Sequence, residues 1–369
     1  MTRRSIFVSL IPVALIGVLA WVVIRSREPS YQGKPLSIWL EGAHGEIHDL
    51  VEETVDTDSA KAIRAIGTAA LPQLIRMVGT RDSSFRRMLM QLATDQPSLK
   101  IHIRPVKELQ EEGACGFIVL GPTAKAALRP LISLLDDDDA DVRKLAAFCL
   151  GKIKSGDAVP ALTSVLDNKR AKKRGILRGP EEKYLAAYAL GAIGPAARAA
   201  LPHISALRND TNWFVRESAE AAFIKISGEG LAPFLAALKD TSNWTNWVSA
   251  TRIVGLVGTN ASAAVPFLIT GLQHTNHQVH EEALVALGRI HAQPQIAIPA
   301  IMSSLQSTND FVRMHAVQAI GQFGSSAAGF VPISNVFRCL SDTSNLVRQN
   351  ASNSLRRIAP EVAAKAGIQ

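Results

Sequence analysis

The chain contains 369 residues, of which 47% are apolar but only 5% are aromatic. A core of this composition must be built mainly from Ala, Leu, Ile and Val, which favours close-packed helices over a β-sandwich. The formal net charge is +8, but the excess lies around an N-terminal apolar segment and in one short basic segment. The composition therefore does not indicate a nucleic-acid-binding surface along the whole chain.

The chain begins with an apolar segment, residues 5–24, which contains no charged side chain. Twenty helical residues span about 30 Å, the thickness of the hydrocarbon core of a bilayer, so we predict a single transmembrane helix here. The membrane anchor as a whole covers residues 1–30, and residues 31–60 are predicted to form a juxtamembrane segment and an N-terminal cap. A cleaved signal peptide, after which the protein would be secreted, is the alternative.

The orientation of this predicted span depends on its short N-terminal tail. Basic residues before and after the span balance each other, so the positive-inside rule does not decide the orientation: Arg3, Arg4, Arg25 and Arg27. A short tail ahead of a single span most often stays inside the cell. We therefore predict an inner-membrane protein of a bacterial cell, with a single pass and a periplasmic C-terminal domain.

Eight prolines recur along residues 61–369, at Pro72, Pro130, Pro160, Pro202, Pro233, Pro266, Pro299 and Pro332. The last five are separated by 31, 33, 33 and 33 positions, by subtraction of their numbers. Each proline is predicted to occupy the first position of a helix, where its missing N–H would be unpaired anyway. A polar turn rich in Asp, Thr and Asn follows each helix and is predicted to cap a second helix.

The second helix of each unit carries an apolar stripe at spacings of four, three, one and three, as in Val142, Ala146, Cys149, Leu150 and Ile153. Small residues in the stripe allow close helix contact, and a recurring glycine marks a helix end or the close approach of a neighbour: Gly151, Gly191, Gly288 and Gly321. One helix pair cannot bury its own face, so stacked neighbours must cover it. The sequence therefore predicts an all-α fold, a right-handed α-solenoid of about eight helix pairs.

Two units carry insertions, near residues 87–109 and 167–182. The second insertion holds six cations within ten positions, which are candidate partner-binding residues: Lys169, Arg170, Lys172, Lys173, Arg174 and Arg178. Insertions in solenoids fall in loops, often on a binding face. These cations could attract phosphate or carboxylate groups, and a solvated loop is the alternative interpretation.

A cation recurs beside the apolar stripe, at a position interpreted as the second of the second helix. The cations are Arg86, Arg143, Lys183, Arg216, Arg313 and Arg348, and Trp247 and His280 replace them in two units. We interpret the repeat arginines as structural, because each can pair with acidic or carbonyl groups of the neighbouring turns, for instance near Asp210 or Asp342, and so link successive units.

Three tryptophans, Trp213, Trp244 and Trp247, cluster in the turns of neighbouring units. Tryptophan combines a large apolar surface with one polar N–H group, so it serves both in cores and as an anchor at interfaces. The three side chains are therefore either anchors for a partner or a packed ladder between turns.

No residue pattern indicates a catalytic, metal or cofactor site. Cys115, Cys149 and Cys339 are far apart within apolar stretches and are interpreted as small core residues. The acidic run of residues 136–139 lacks the Gly and the distal Glu of an EF-hand and is interpreted as a capping turn. No cysteine or carboxylate set completes the three or four ligands that zinc requires beside the neighbouring histidines, which are His274, His277 and His280 in one group and His44 and His48 in another. We therefore predict that the protein is not an enzyme.

The combination of a Pro-opened helix, a D-x-x-V-R turn and an A-x-x-A-L-G second helix resembles HEAT repeats of the short type, which also occur in phycobilisome bilin lyases. The segments GKPLSIWLEG and LKIHIRP resemble membrane-tethered HEAT proteins of Verrucomicrobia and related bacteria. The resemblance implies a scaffold that binds one or more protein partners. A bilin-lyase-like enzyme or accessory subunit is one alternative, and a binder of nucleic acid or anionic lipid through residues 169–178 is another; nucleic acid is the less favoured partner.

Overall fold

The computed structural model describes residues 28–41, 57–95, 104–167, 179–240 and 242–368. The predicted transmembrane segment and the six cations of the second insertion lie outside these ranges. The described part of the chain is built almost entirely of helices. The prediction of an all-α fold is therefore confirmed for this part.

Most of the helices form pairs of one short and one long helix, and the described residues contain eight such pairs. The first helices are α3 (Leu71–Val78), α6 (Leu128–Leu134), α8 (Val159–Asp167), α10 (Leu201–Leu207), α12 (Ala232–Lys239), α14 (Val265–Gly271), α16 (Pro294–Ser303) and α18 (Ile333–Cys339). The second helices are α5 (Val106–Leu120), α7 (Ala140–Ile153), α9 (Pro180–Ile193), α11 (Trp213–Ser227), α13 (Trp244–Val257), α15 (His277–Ile290), α17 (Asp310–Gln322) and α19 (Asn345–Ile358).

Polar side chains cap five of the eight second helices, as the turn composition predicts, whereas α5, α9 and α19 have no side-chain cap. The Asn212 side chain accepts hydrogen bonds from the backbone N–H groups of Phe214 and Val215, at 3.0 and 3.3 Å. Asn309 caps α17 in the same way, and Asp139 caps α7. These bonds satisfy donors that a helix N-terminus otherwise leaves unpaired. The acidic run before α7 is therefore a capping turn.

Glycine ends several second helices. Gly121, Gly194 and Gly258 have φ values of 49°, 73° and 73°, a conformation that side chains disfavour. A 3-10 turn follows each of them and leads into the next first helix. Two long apolar runs, Val106–Leu134 and Trp244–Gly271, have the length and composition of a membrane span. Each run consists of two solenoid helices joined by such a 3-10 turn.

Two details differ from the sequence prediction. The prolines of five first helices, Pro72 in α3 among them, fall at the second helical position. Pro130 falls at the third position of α6, and Pro332 directly precedes α18. Pro299 lies inside α16 because Pro294 opens that helix. The first insertion begins within an additional helix, α4 (Ser84–Asp95). The second helix of this unit is α5, which packs against both α3 and α7, so Arg86 on α4 does not belong to the repeat series.

The second helices pack side by side in a row, each against the next. The apolar stripe of α7 is buried, with all five of its members at most 2% exposed. Gly151 of α7 lies against Ala189 of α9, where a Cβ atom on the glycine would stand 2.8 Å from the Ala189 Cα. The recurring glycine of the stripe therefore marks a close approach between second helices, and the helix continues past it.

The N-terminal described segment packs on the first unit. It forms a two-stranded hairpin, β1 (Ser30–Tyr31) and β2 (Lys34–Pro35), followed by the short helix α1 (Leu36–Leu40). Leu36 and Leu40 are fully buried and belong to the core that also contains the first units. α1 contacts both α2 (Thr57–Ile66) and α5. This segment therefore covers apolar surface of the first unit.

The buried residues form two clusters that meet at α11. Ala222 and Ile226 of α11 belong to the cluster that begins near the N-terminus. Ala221 and Ile224 of the same helix belong to the cluster that extends to α20 (Pro360–Lys365). Because successive units share helices in this way, each unit is stabilised mainly by its neighbours.

Candidate binding site

The repeat arginines lie at the fourth position of the second helices, because the helices begin earlier than predicted. The Arg313 guanidinium donates from Nη1 to the backbone carbonyls of Ser307 and Thr308, at 2.8 and 3.1 Å. Its Nε and Nη2 donate to the two carboxylate oxygens of Asp342, both at 2.8 Å. One side chain thus holds the turn of its own unit and the turn of the next unit.

Arg143 makes the most deeply buried bond of this kind. Its Nη1 donates to the carbonyls of Asp137 and Asp138, at 2.7 and 2.9 Å. Its Nη2 donates to Glu182 Oε1 of α9 at 2.6 Å, and both side chains are at most 5% exposed. A buried ion pair is stable only when such additional hydrogen bonds complete it.

The other members of the series keep parts of this arrangement. Arg216 and Arg348 each donate to two carbonyls of the preceding turn, and Lys183 donates to Asp210 of the next unit at 3.1 Å. The Arg313 guanidinium lowers the pKa of Asp342. Trp247 and His280 occupy this position in α13 and α15: Trp247 donates to the Leu238 carbonyl at 3.2 Å, and His280 contacts the Ser304 hydroxyl at 2.8 Å. In α5 the next residue, Gln110, donates to the Thr80 carbonyl at 2.7 Å.

The three clustered tryptophans separate into two kinds. Trp247 is 1% exposed and fills the space above Gly271, so it cannot contact a partner and belongs to the core. Trp213 and Trp244 are 37% and 42% exposed. The Trp213 ring stacks on Phe214 at 3.5 Å, and the Arg252 guanidinium lies over it at 4.6 Å. Trp213 and Trp244 therefore stay candidates for partner binding.

Trp213 and Trp244 belong to a larger set of exposed apolar side chains, which we call the apolar row. Its members occupy the first or second position of four second helices, between 37% and 51% exposed: Trp213, Phe214, Trp244, Phe311 and Leu346. The row follows the N-terminal ends of α11, α13, α17 and α19. The helix between α13 and α17, α15, begins with the polar residues His277 and Gln278, so the row has one gap. Large apolar side chains exposed at the same position of several units form a candidate interaction surface.

The C-terminal ends of the second helices form a different surface, a cavity of about 300 Å³. Lys152 of α7, Lys225 of α11 and Arg289 of α15 line it together with Tyr184 and Tyr188 of α9. We call this the cationic cavity. Lys154, His291 and the segment of residues 258–260 also contribute to its lining.

Cations and aromatic rings contact one another inside the cavity. Lys152 Nζ lies 3.3 Å from the Tyr188 hydroxyl and 4.9 Å from the centre of the Phe148 ring. Lys225 Nζ donates to the Leu256 carbonyl at 3.3 Å. Among the described residues that line the cavity there is no Asp or Glu. The cavity is therefore positively charged and suited to an anionic group.

The two tyrosines respond differently to this environment. Burial raises the pKa of Tyr184, and Arg289 only partly offsets that effect. Burial also acts to raise the pKa of Tyr188, but Lys152, Lys225 and Arg289 together hold it below its ordinary value. The cations therefore act more strongly on the Tyr188 hydroxyl than on that of Tyr184, and the Tyr188 hydroxyl can itself donate a hydrogen bond to an anion.

The residues of the cationic cavity are not among the site residues predicted from the sequence. A signal is nevertheless present, because Lys152, Lys225 and Arg289 occupy the same register of their helices, directly before the last buried isoleucine. The intervening units carry Ala192 and Leu256 at this position. A cation therefore recurs in every second unit. An alignment on the prolines does not reveal this recurrence, because it compares mainly the starts of the units and the cations lie near the ends of the second helices.

A buried carboxylate lies between the apolar row and the cavity. Glu217 of α11 accepts a hydrogen bond from the Ser249 hydroxyl at 3.0 Å, and Arg252 approaches it at 3.8 Å while binding Glu282 at 2.7 Å. Burial raises the pKa of Glu217 to about 7, with a further contribution from Glu282, although Ser249 and Arg252 act against it. The charged form of Glu217 is therefore unfavourable in the fold.

We expect Glu217→Gln to stabilise the protein at pH 8 by about 2 kcal/mol. Between pH 4.5 and about 7 the folded chain binds more protons at this carboxyl than the unfolded chain, so its contribution to stability falls as the pH rises through that window. The substitution removes this penalty, and the amide oxygen can still accept from Ser249. Urea unfolding at pH 8 and pH 4.5 measures the effect, which should be small at the lower pH.

Glu281→Gln is the matched control on α15, with a partly exposed carboxyl. It should leave the free energy of unfolding nearly unchanged at both pH values. An equal gain from Glu217→Gln at pH 8 and pH 4.5 would contradict the raised pKa, because only the charged form carries the penalty.

The cysteines and histidines are the remaining residue types that could support catalysis or bind a metal. Cys115, Cys149 and Cys339 are buried free thiols, and burial raises the pKa of the Cys149 and Cys339 thiols. They are core residues, as predicted. His280 contacts the Ser304 hydroxyl at 2.8 Å, and no group of three or more His, Cys, Asp or Glu side chains within the described ranges could hold a metal ion.

A family model of HEAT repeats matches residues 128–224 and 265–329. These stretches include α6–α10, most of α11 and α14–α17, so the repeat units predicted from the sequence are HEAT repeats there. No curated protein matches the sequence.

Solved structures of helical-repeat proteins are similar to this chain. Human deoxyhypusine hydroxylase has 20% identity and a TM-score of 0.36, covering 76% of this chain and 100% of that chain. The complex of CpcE and CpcF of phycocyanin lyase from Nostoc sp. PCC7120 has 21% identity and a TM-score of 0.35, covering 63% and 94%. A designed armadillo repeat protein has 18% identity and a TM-score of 0.34, covering 63% and 99%.

Proposed function

We propose that this array of HEAT repeats is a non-enzymatic, membrane-anchored scaffold that binds a protein partner. The apolar row is the observation that supports this function. Its aromatic members offer large contact areas of the kind that dominate binding energy at protein interfaces. They recur on four second helices, so a partner that follows the row meets several units at once.

The surface that carries the row is preformed. Asn212 and Asn309 cap the helices that carry Phe214 and Phe311, and Arg313 bonds the turns on both sides of α17. Side chains held on fixed helix ends lose little conformational entropy on binding. The same bonds that stack the units therefore prepare the surface for a partner.

The proposed anchor is the apolar segment of residues 5–24, with the solenoid on the outer side of the inner membrane. The length of the uncharged segment supports the anchor. Protease added to intact spheroplasts tests the orientation: digestion of the solenoid without lysis is expected, and protection would place it in the cytoplasm.

Site-specific photo-crosslinking from the full chain in its native cells tests the scaffold function. A crosslinking residue at Phe311 or Phe214 should yield an adduct with the same protein from both positions. Arg129, exposed on the first helix α6, is the control position and should yield none. The absence of adducts from both row positions, or the same adduct from Arg129, would overturn the proposal.

A further inference from the structure

Two sets of cations on the second helices have different surroundings. Arg143, Arg252 and Arg313 bind carboxylates of the neighbouring unit, and those bonds neutralise their charge. Lys152, Lys225 and Arg289 line one cavity whose described lining contains no carboxylate. At the C-terminal ends of α7, α11 and α15, positive charge is therefore concentrated in the cationic cavity.

The three cavity cations come from α7, α11 and α15, which are the second helices of every second unit. All three cations line one cavity, and together they hold the pKa of Tyr188 below its ordinary value, so their charged groups converge there. A ligand that meets all three cations must therefore carry more than one negative charge.

We infer that the cationic cavity binds an acidic peptide segment of the protein partner. One carboxylate of the segment lies between Lys152 and Lys225 and accepts a hydrogen bond from the Tyr188 hydroxyl, and a second lies at Arg289. This inference rests on the proposed scaffold function and adds the chemistry of the partner.

The size and edges of the cavity fit such a segment. A volume of about 300 Å³ is at the lower end of ligand sites, enough for a few side chains. The exposed residues Thr259 and Asn260 lie at its edge and offer polar groups to a peptide backbone. The partly exposed rings of Tyr184 and Tyr188 line the cavity and offer apolar surface to the side chains between two carboxylates.

The probe is a fluorescein-labelled eight-residue peptide of alternating Glu and Leu, in which every Glu points to one face of the extended chain. Fluorescence anisotropy with the full chain in detergent should show binding that weakens as salt is added. Lys225→Gln and Arg289→Gln should each weaken binding about tenfold. Arg129→Gln, the same charge change on a first helix, should change it less than about twofold.

Three results would overturn the inference. The first is that the same peptide with Gln in place of Glu binds as tightly as the probe. The second is that the two cavity variants bind the probe as tightly as the wild type. The third is that inorganic phosphate displaces the probe at equal charge, which would indicate a small-anion site. Lys152→Gln provides a third cavity variant, and far-UV circular dichroism selects the variants that are folded. If these variants leave probe binding unchanged while crosslinks from Phe311 persist, the inference fails and the scaffold function stands.

Discussion

Arg143→Ala should reduce the free energy of unfolding by about 3–5 kcal/mol. The substitution removes the guanidinium from Glu182, whose carboxyl is 4% exposed, so the buried carboxylate loses its ion pair. It also frees the carbonyls of Asp137 and Asp138 at the end of the preceding turn. Urea unfolding followed by circular dichroism measures the loss.

Two control variants separate the buried charge from the carbonyl bonds. Arg348 donates to two carbonyls but forms no ion pair within the described residues, so Arg348→Ala should cost only about 1 kcal/mol. Arg143→Met with Glu182→Leu removes both charges and should recover most of the stability lost by the single substitution. A double variant as unstable as Arg143→Ala would contradict this explanation, because no unpaired charge then exists.

The repeat and its helix pairs could be predicted from the sequence because the signals are local. Asn212 and Asn309 cap helices that begin within a residue of them, and the stripe from Val142 to Ile153 lies on one face of one helix. A cap or a stripe is determined by neighbours along the chain. The period of 33 residues then follows, because the same local pattern returns.

The identity of the second helix in the first unit was not determined by local pattern. Both α4 and α5 are amphipathic or apolar helices of sufficient length, and a polar turn precedes α4 as it does the other second helices. Their roles differ only because α5 packs against α3 and α7. A close approach decides this contact, since a Cβ atom on Gly113 would lie 2.8 Å from Met77 Cβ.

The cationic cavity could not be predicted because its residues converge from separate units. Lys152, Lys225 and Arg289 are far apart in sequence and meet only through the stacking of five second helices. The pKa of Tyr188 depends on all three cations at once. The six cations of residues 169–178 form a stronger sequence signal, but a run of charges along the sequence contains no information about a cavity.

Trp247→Ala should reduce the free energy of unfolding by about 3–5 kcal/mol. Leu238 is the only buried residue of α12, so the indole of Trp247 supplies much of the core of that unit. The substitution opens a cavity beside Gly271 and removes the hydrogen bond to the Leu238 carbonyl. Because each unit depends mainly on its neighbours, amide hydrogen exchange should show the loss first in α12–α14.

Trp244→Ala, three residues earlier on the same helix, is the matched control. Its side chain is 42% exposed, so the substitution should change stability by less than about 0.5 kcal/mol while it removes a member of the apolar row. If the two substitutions were equally destabilising, the assignment of Trp247 to the core and Trp244 to the surface would be wrong. If Trp244→Ala instead preserves stability and reduces crosslinking from Phe311, the exposed tryptophan acts through the partner, and the two residues divide stability and binding between them.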